Sequence, residues 1–314
     1  MENVRIFSGQ AHPELGREIC DELGLPLSPS VTQRFHNDNL CVQLQASVRE
    51  KEVFIVQPLS PPVSDHLLEL LLLLDAARSA SARRITAVIP YYSYARSDKK
   101  NAPRISIAAR LVADLLTTAG ASHILTMTLH SPQVHGFFSV PTDHLSSLHT
   151  FADYFLAKDL SDSVVVAPDI GSAKRARDFA HKLGLPMIAA NKQRLDDLQV
   201  EVMEIIGEVK NRHAIVLDDE IATGGTIVET INELKRRGIE RFTVAATHGV
   251  FCGPASPRLG AVPEIEEIVI TNTVPMTPER RLPSMRILSV APILAEAIRR
   301  NVAGESLQPI FSYL

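Results

Sequence analysis

Cysteine is scarce: the 314 residues hold three, Cys20, Cys41 and Cys252, far apart and without a CxxC pair. That argues against a disulfide framework or a cysteine zinc site and favours a reducing, cytoplasmic setting. Positive charge is not in excess either. Against 32 lysines and arginines stand 36 aspartates and glutamates, a formal net charge of −4, so the basic footprint of a nucleic-acid binder is missing. Any anionic ligand must be held by local cations. No apolar run approaches the roughly 20 residues of a membrane span. The most apolar stretch, LLELLLLLDAA from Leu67 to Ala77, is broken by Glu69 and Asp75 and reads as a buried helix. MENVRIFSGQ has no basic stretch followed by an apolar one, so a signal peptide is not expected. GxxxxGK[ST] occurs nowhere, which excludes a nucleotide P-loop.

What is present is a regular alternation of short β-branched runs with helical stretches, the pattern of an α/β protein with mainly parallel sheets. In the first half VRIFS, EVFIVQP, RITAVIPYY and SHILTMTLH read as strands, with helices over 13–23, 62–79 and 105–118. In the second, SVVVAPD, LPMIAAN, HAIVLDD, RFTVAATHG and EEIVITNTV read as strands and 172–183 and 226–237 as helices. RILSVAPILAEAIRRN reads as a further strand and helix. This length suits two domains, placed at 1–145 and 146–290. The strand, loop, helix, strand order beginning at Val53 returns at His213, but only the second copy has acids and glycines in its loop.

That loop is IVLDDEIATGGTI, Ile215 to Ile227. Gly224 and Gly225 let the backbone turn several N–H groups and a helix dipole onto one anion. Thr223 and Thr226 add hydroxyl donors. Asp218 and Asp219, at the strand end, can accept hydrogen bonds from vicinal hydroxyls or hold Mg²⁺. A sugar monophosphate asks for both halves. TGGT alone fits an ordinary strand-to-helix turn as well; DDxxxTGGT is more demanding.

VLDDEIATGGT resembles the phosphoribosyl-diphosphate (PRPP) loop shared by phosphoribosyltransferases and ribose-phosphate pyrophosphokinases. IPYYSYARSDKK, LHSPQVHGFFSVPTDHL and VVAPDIGSAKRARDFA followed by NKQR resemble only the pyrophosphokinases. With RIFSGQAHPELGREI at one end and LSVAPILAEAIRR at the other, the resemblance runs in order along nearly the whole chain. The sequence is identified as a member of that family, the PRPP synthetases. The resemblance implies two similar phosphoribosyltransferase-like domains, each a mainly parallel sheet flanked by helices, with the C-terminal helix, about 291–314, packing back on the first. It also implies Mg²⁺-dependent transfer of the β,γ-diphosphoryl group of ATP to the 1-hydroxyl of ribose 5-phosphate, giving PRPP and AMP. A homo-oligomer, commonly a hexamer, in the cytoplasm, with no nucleic-acid or membrane partner, goes with it.

Residue by residue, Asp218, Asp219, Ala222, Thr223, Gly224, Gly225 and Thr226 match the ribose 5-phosphate site, with Ala222 where many members have aspartate. Phe35, Asn37 and Asn39 fall in the adenine-recognition loop RFHNDNL, which departs from the usual Asp or Asn, Gly, Glu. Arg96, Ser97 and Lys99 belong to the ATP-side catalytic loop, with Ser97 in place of the usual glutamine; taken alone, YARSDKK also reads as a solvated basic loop. His130 and Asp169 match the Mg²⁺ ligands, although a lone histidine is more often structural. The turn after Asp169 replaces the family's His-Gly-Gly at Ile170 and Ser172. Lys192 and Arg194 match the catalytic pair, against the bland reading of two surface cations in a charged turn. Ser47, Arg49 and Ser312 match positions that answer to phosphate and ADP. Two other readings share parts of this pattern: a phosphoribosyltransferase that consumes PRPP, and a non-catalytic subunit associated with PRPP synthetases.

Overall fold

The computed structural model describes residues 1–194, 201–210 and 212–310; Ser312 lies outside them. The chain divides into two units. Unit 1 takes Met1–Ser146, Thr273–Pro275 and the segment from Ser289 onward, and unit 2 takes Ser147–Asn272 and Met276–Leu288.

Unit 1 runs β1 (Val4–Ser8), α1 (Pro13–Leu23), β2 (Ser30–Arg34), β3 (Leu40–Leu44), β4 (Glu52–Val56), α2 (Val63–Ser79), β5 (Arg84–Ile89), α3 (Ala108–Ala119), β6 (His123–Met127) and β7 (Thr142–Leu145). Its main sheet has the order β1-β4-β5-β6-β7 with every pair parallel. Strands covered on both faces need no polar side. In β4, Val53 and Ile55 join one core with Leu70 and Leu73 of α2 and Val112 and Leu116 of α3, while Phe54 and Val56 join the other with Leu15 and Ile19 of α1.

Unit 2 runs α4 (Leu148–Leu156), β8 (Ser163–Ala167), α5 (Ala173–Leu183), β9 (Met187–Arg194), β10 (Glu201–Ile206), β11 (His213–Ile221), α6 (Gly225–Arg236), β12 (Arg241–Gly249), α7 (Ala255–Gly260), β13 (Ile265–Thr271) and β14 (Met285–Leu288). Its sheet has the order β10-β9-β8-β11-β12-β13-β14, parallel except for the β9–β10 pair. In β11, Ala214 and Val216 face α6 and α7 while Ile215 and Leu217 face α4 and α5. Phe155 and Phe179 meet edge to face in the second layer, centroids 5.7 Å apart; burying such a side chain contributes about 2–3 kcal/mol.

The last helix, α8 (Ala291–Ala303), belongs to unit 1. Val290, Leu294, Ala295 and Ile298 close the core over α1, β1 and β4. At its far end Asn301 donates to Asp143 at 2.9 Å and accepts from Arg84 at 3.0 Å. His123 Nε2 stands 2.8 Å from the same Asp143 oxygen.

The strand and helix readings fall on observed elements, with boundary shifts. SHILTMTLH is a strand only to Met127, so His130 lies three residues beyond β6 rather than at its end. Sequence reading passed over β2, β3, β7, α4, β10 and α7. The run at Leu67–Ala77 is inside α2, and Glu69 sits in it at 2% exposure. Its carboxylate accepts from Gln57 Nε2 at 2.6 Å, the Gln10 N–H at 3.0 Å and Thr32 Oγ1 at 2.6 Å. Buried charge is tolerated when several donors converge on it, and here the donors tie strand β2 to the core.

Candidate active site

Strand β11, buried along its length except at Asp218, carries two acids shortly before it ends at Ile221. Asp219 is buried and its Oδ1 lies 3.4 Å from Arg175 Nη2 on α5, while Asp218 accepts the Asp219 N–H at 2.8 Å. Burial, then the neighbouring Asp219 carboxylate, hold the Asp218 carboxyl well above the usual carboxylate range. Two such acids side by side cannot both ionise cheaply, so each is poised to meet hydroxyls or a cation.

The chain then turns at Gly224, φ +72°, which caps α6 without a side-chain hydrogen bond. The first helical bond is Val228 N–H to the Gly224 carbonyl. The first-turn N–H groups have no intrahelical acceptor and are left for an anion. Glycine is needed at 224 for the left-handed backbone and for the room: a Cβ there would lie 3.2 Å from Leu259 Cγ on α7. Thr223 and Thr226 are exposed beside this cradle, so the loop brings together the acids, the threonines and the turn that the sequence singled out.

Two other stretches of unit 2 carry candidates. Asp169, exposed two residues past β8, accepts the Ser172 N–H at 2.8 Å, and Ser172 Oγ donates to the Asp169 carbonyl at 2.9 Å. The departure at Ile170 and Ser172 thus still closes a tight turn, with Ile170 half exposed. Among the described residues no group of three or more His, Cys, Asp and Glu forms a metal cage. A Mg²⁺ ion needs none: it keeps several waters and takes one or two carboxylates together with substrate phosphates, and an exposed carboxylate on a short turn fits that mode. Lys192 and Arg194 stand on β9, where their backbones pair with Met203 and Glu201 of β10.

Unit 1 carries the rest. RFHNDNL is the tip of the β2–β3 hairpin. Phe35 N–H donates to the Asn39 carbonyl and Asp38 N–H to the Phe35 carbonyl, both at 2.9 Å, and Asn37 Oδ1 accepts the Asn39 N–H at 3.3 Å. Arg34 clamps the tip, with Nη1 2.7 Å from Asp38 Oδ1 and Nη2 2.8 Å from Asp65 Oδ2 on α2. Phe35 is 52% exposed on this braced turn, an aromatic face able to stack on a planar ligand. Arg96 ends a 3₁₀ turn over 93–96 anchored by buried Ala95. Ser97 N–H donates to the Tyr94 carbonyl at 2.8 Å, and Arg96, Lys99 and Lys100 are exposed. His130 is exposed beyond β6. Ser47 and Arg49 are exposed on either side of buried Val48, and Arg49 Nη1 reaches Ser81 Oγ at 3.4 Å.

Sequence reading missed three charged side chains of these surroundings: Arg34, Arg175 and Arg258. Arg258 Nη1 donates to the Thr223 carbonyl at 2.8 Å. Each arginine is remote in sequence from at least one of its partners. No spacing rule could have paired them.

The chain is similar to known proteins along most of its length. A family model described as the N-terminal domain of ribose phosphate pyrophosphokinase matches residues 4–120, and one described as a phosphoribosyl synthetase-associated domain matches 195–312. A ribose-phosphate pyrophosphokinase of Deinococcus radiodurans is 49% identical over 98% of this chain and 97% of its own length. One from Parasynechococcus marenigrum is 45% identical over 98% and 93%. The crystal structure of phosphoribosylpyrophosphate synthetase from Mycobacterium smegmatis superposes with a TM-score of 0.91 at 39% identity, covering 96% of this chain and 99% of that one. The two α/β units are accordingly phosphoribosyltransferase-like domains. With full-length relatives at this identity and the cradle after β11 in place, the chain belongs to the ribose-phosphate pyrophosphokinase family.

Proposed function

We propose that the protein transfers the β,γ-diphosphoryl group of ATP to the 1-hydroxyl of ribose 5-phosphate, releasing AMP and PRPP. The observation that carries the proposal is that Asp218 and Asp219, near the end of β11, lead within a few residues into a helix start that has no side-chain cap. Asp218 and Asp219 take the ribose hydroxyls, and Thr223, Gly224, Gly225 and Thr226 take the 5-phosphate, with Ala222 as spacer. Phe35, Asn37 and Asn39 present the hairpin to the adenine, and Arg96, Ser97 and Lys99 meet the polyphosphate. In the reaction the anomeric oxygen bonds to the β-phosphorus as its proton passes to solvent, while the bond from that phosphorus to the bridging α,β-oxygen breaks, and this oxygen leaves with AMP. Such transfer needs little covalent help, so positioning and charge neutralisation carry the acceleration. Lys192 and Arg194 stabilise negative charge on the group in flight. By family resemblance Asp169 and His130 are each expected Mg²⁺ ligands, and the ion when bound would neutralise charge on the phosphate oxygens.

Family membership supports a cytoplasmic homo-oligomer, a hexamer, in which Ser47, Arg49 and Ser312 serve phosphate and ADP control; velocity curves against phosphate and ADP test that part. The reaction itself is tested by incubating the protein with Mg²⁺, ribose 5-phosphate and a panel of nucleoside triphosphates. AMP should form from ATP in equal amount with PRPP. Absence of AMP, or consumption of added PRPP with a free base, overturns the proposal, and a donor other than ATP at higher kcat/KM overturns the role given to the hairpin.

A further inference from the structure

We infer that Arg258 is a further substrate-binding residue, supplying the cation for the phosphate held by the Thr223–Thr226 loop. The inference rests on the function proposed above and adds a residue outside the motif that suggested it.

The TGGT turn contains no cation, and the two residues that open the motif are acids. Neutral donors, the backbone N–H groups and the two threonine hydroxyls, would have to offset a phosphate dianion beside the acid pair Asp218–Asp219, in a protein whose net charge is already −4. A nucleotide P-loop solves this with a lysine inside the loop. Here an arginine arrives from the next helix. The chain after β12 is laced to the cradle through its backbone: Val250 and Phe251 N–H donate to the Ile221 carbonyl at 3.1 and 3.0 Å, and Cys252 N–H to the Ala222 carbonyl at 2.8 Å. Leu259, 1% exposed, fills the space that a Cβ at Gly224 would need. These contacts fix the register of α7 against the loop, so Arg258 is not a loosely placed surface side chain.

The guanidinium lies 3.3 Å from where a Cβ on Gly225 would sit, directly over the first residue of α6. Its hydrogen bond to the Thr223 carbonyl does two things. It satisfies that carbonyl, and it occupies one of five donors, leaving a planar fork at the solvent-exposed mouth of the cradle. Arginine suits this because it can hold a carbonyl and a phosphate oxygen together, which the single point charge of lysine does less well.

The test compares Arg258→Ala, Arg258→Gln and Arg258→Lys with the unaltered protein. Two quantities are read: KM for ribose 5-phosphate and for ATP, and the rise in melting temperature given by ribose 5-phosphate and by unphosphorylated ribose. Arg258→Ala should raise KM for ribose 5-phosphate by about 10- to 100-fold, the range for a charge-assisted hydrogen bond, with KM for ATP little changed. It should also lose the melting shift given by ribose 5-phosphate while its response to ribose is unaltered. Arg258→Gln can still donate to the Thr223 carbonyl but carries no charge, and should behave like Arg258→Ala; Arg258→Lys should recover part of the affinity. A ribose 5-phosphate KM within about twofold of the unaltered value in Arg258→Ala, or full recovery in Arg258→Gln, would overturn the inference, the latter by reducing Arg258 to a strap on the loop. If the unaltered protein releases no AMP yet is stabilised by ribose 5-phosphate, and Arg258→Ala abolishes that stabilisation, the proposed reaction fails and the assignment of Arg258 stands.

Discussion

Replacing Glu69 by alanine tests how the β2–β3 hairpin is held. The carboxylate accepts from Gln57, from the Gln10 backbone and from Thr32, the one contact of the three that reaches the hairpin itself. A buried donor stripped of its acceptor costs about 1–3 kcal/mol. Gln57 retains a 3.2 Å bond to the His66 carbonyl, and Gln10 and Thr32 are near enough to the surface to find water, so the sum is nearer 3 than 9 kcal/mol, by roughly a factor of three. Of that sum only the share of the Thr32 bond bears on opening of the hairpin, about 1–2 kcal/mol, roughly a 5- to 30-fold change in equilibrium. Hydrogen exchange of the peptide spanning residues 30–44 is the assay, in the regime where exchange reads the opening equilibrium. Protection should fall by about that factor there, with little change in the strands of unit 2. KM for ATP should rise while KM for ribose 5-phosphate stays level. Unaltered exchange over 30–44 would refute the reasoning, because it would mean that the hairpin owes nothing to the buried acid.

Acidification provides a second check, through His213. Its Nδ1 meets Ser163 Oγ at 2.9 Å and its Nε2 meets Thr243 Oγ1 at 3.0 Å, and burial, then Arg241, hold its pKa below the usual histidine value. A folded-state value below the unfolded one means that the stabilisation is whole above about pH 6.5 and is lost as pH falls below it. Melting temperatures from about pH 7.5 to 5.5 should drop, less steeply in His213→Asn; a rise on acidification would count against this account. Lys192→Ala should fold with an unchanged melting temperature and lose about 10³-fold in kcat, as expected for a cation acting on a transferring phosphoryl group. Unchanged turnover would remove Lys192 from the mechanism.

Buried parallel strands were the easiest elements to read. HAIVL and RFTVAATHG announce themselves because a strand covered on both faces must be apolar along its length. The hairpin that carries Phe35 was hidden for the opposite reason: SVTQR is polar and half-exposed, and LCVQL, although mostly apolar, is only five residues long and half-exposed. Helix α7 was hidden by its brevity and by Pro257. The cradle was legible because its parts are contiguous, with two acids, two glycines and two threonines within one turn of chain. Its cation was not. Arg258 comes to Thr223 only because the residues after β12 pair with Ile221 and Ala222, and pairing of that kind depends on the assembled sheet rather than on letters near either end.

Helix α8 gives the fold an unusual calendar. The face of the first sheet formed by Phe54 and Val56 is covered by α1 and by Leu294 and Ile298, which are translated only after all of unit 2. A ribosome making this chain therefore finishes the second unit while the first still shows bare core, so the growing protein passes its most aggregation-prone interval late in synthesis. Premature stop codons in the final helix should accordingly wound the beginning of the protein rather than its end.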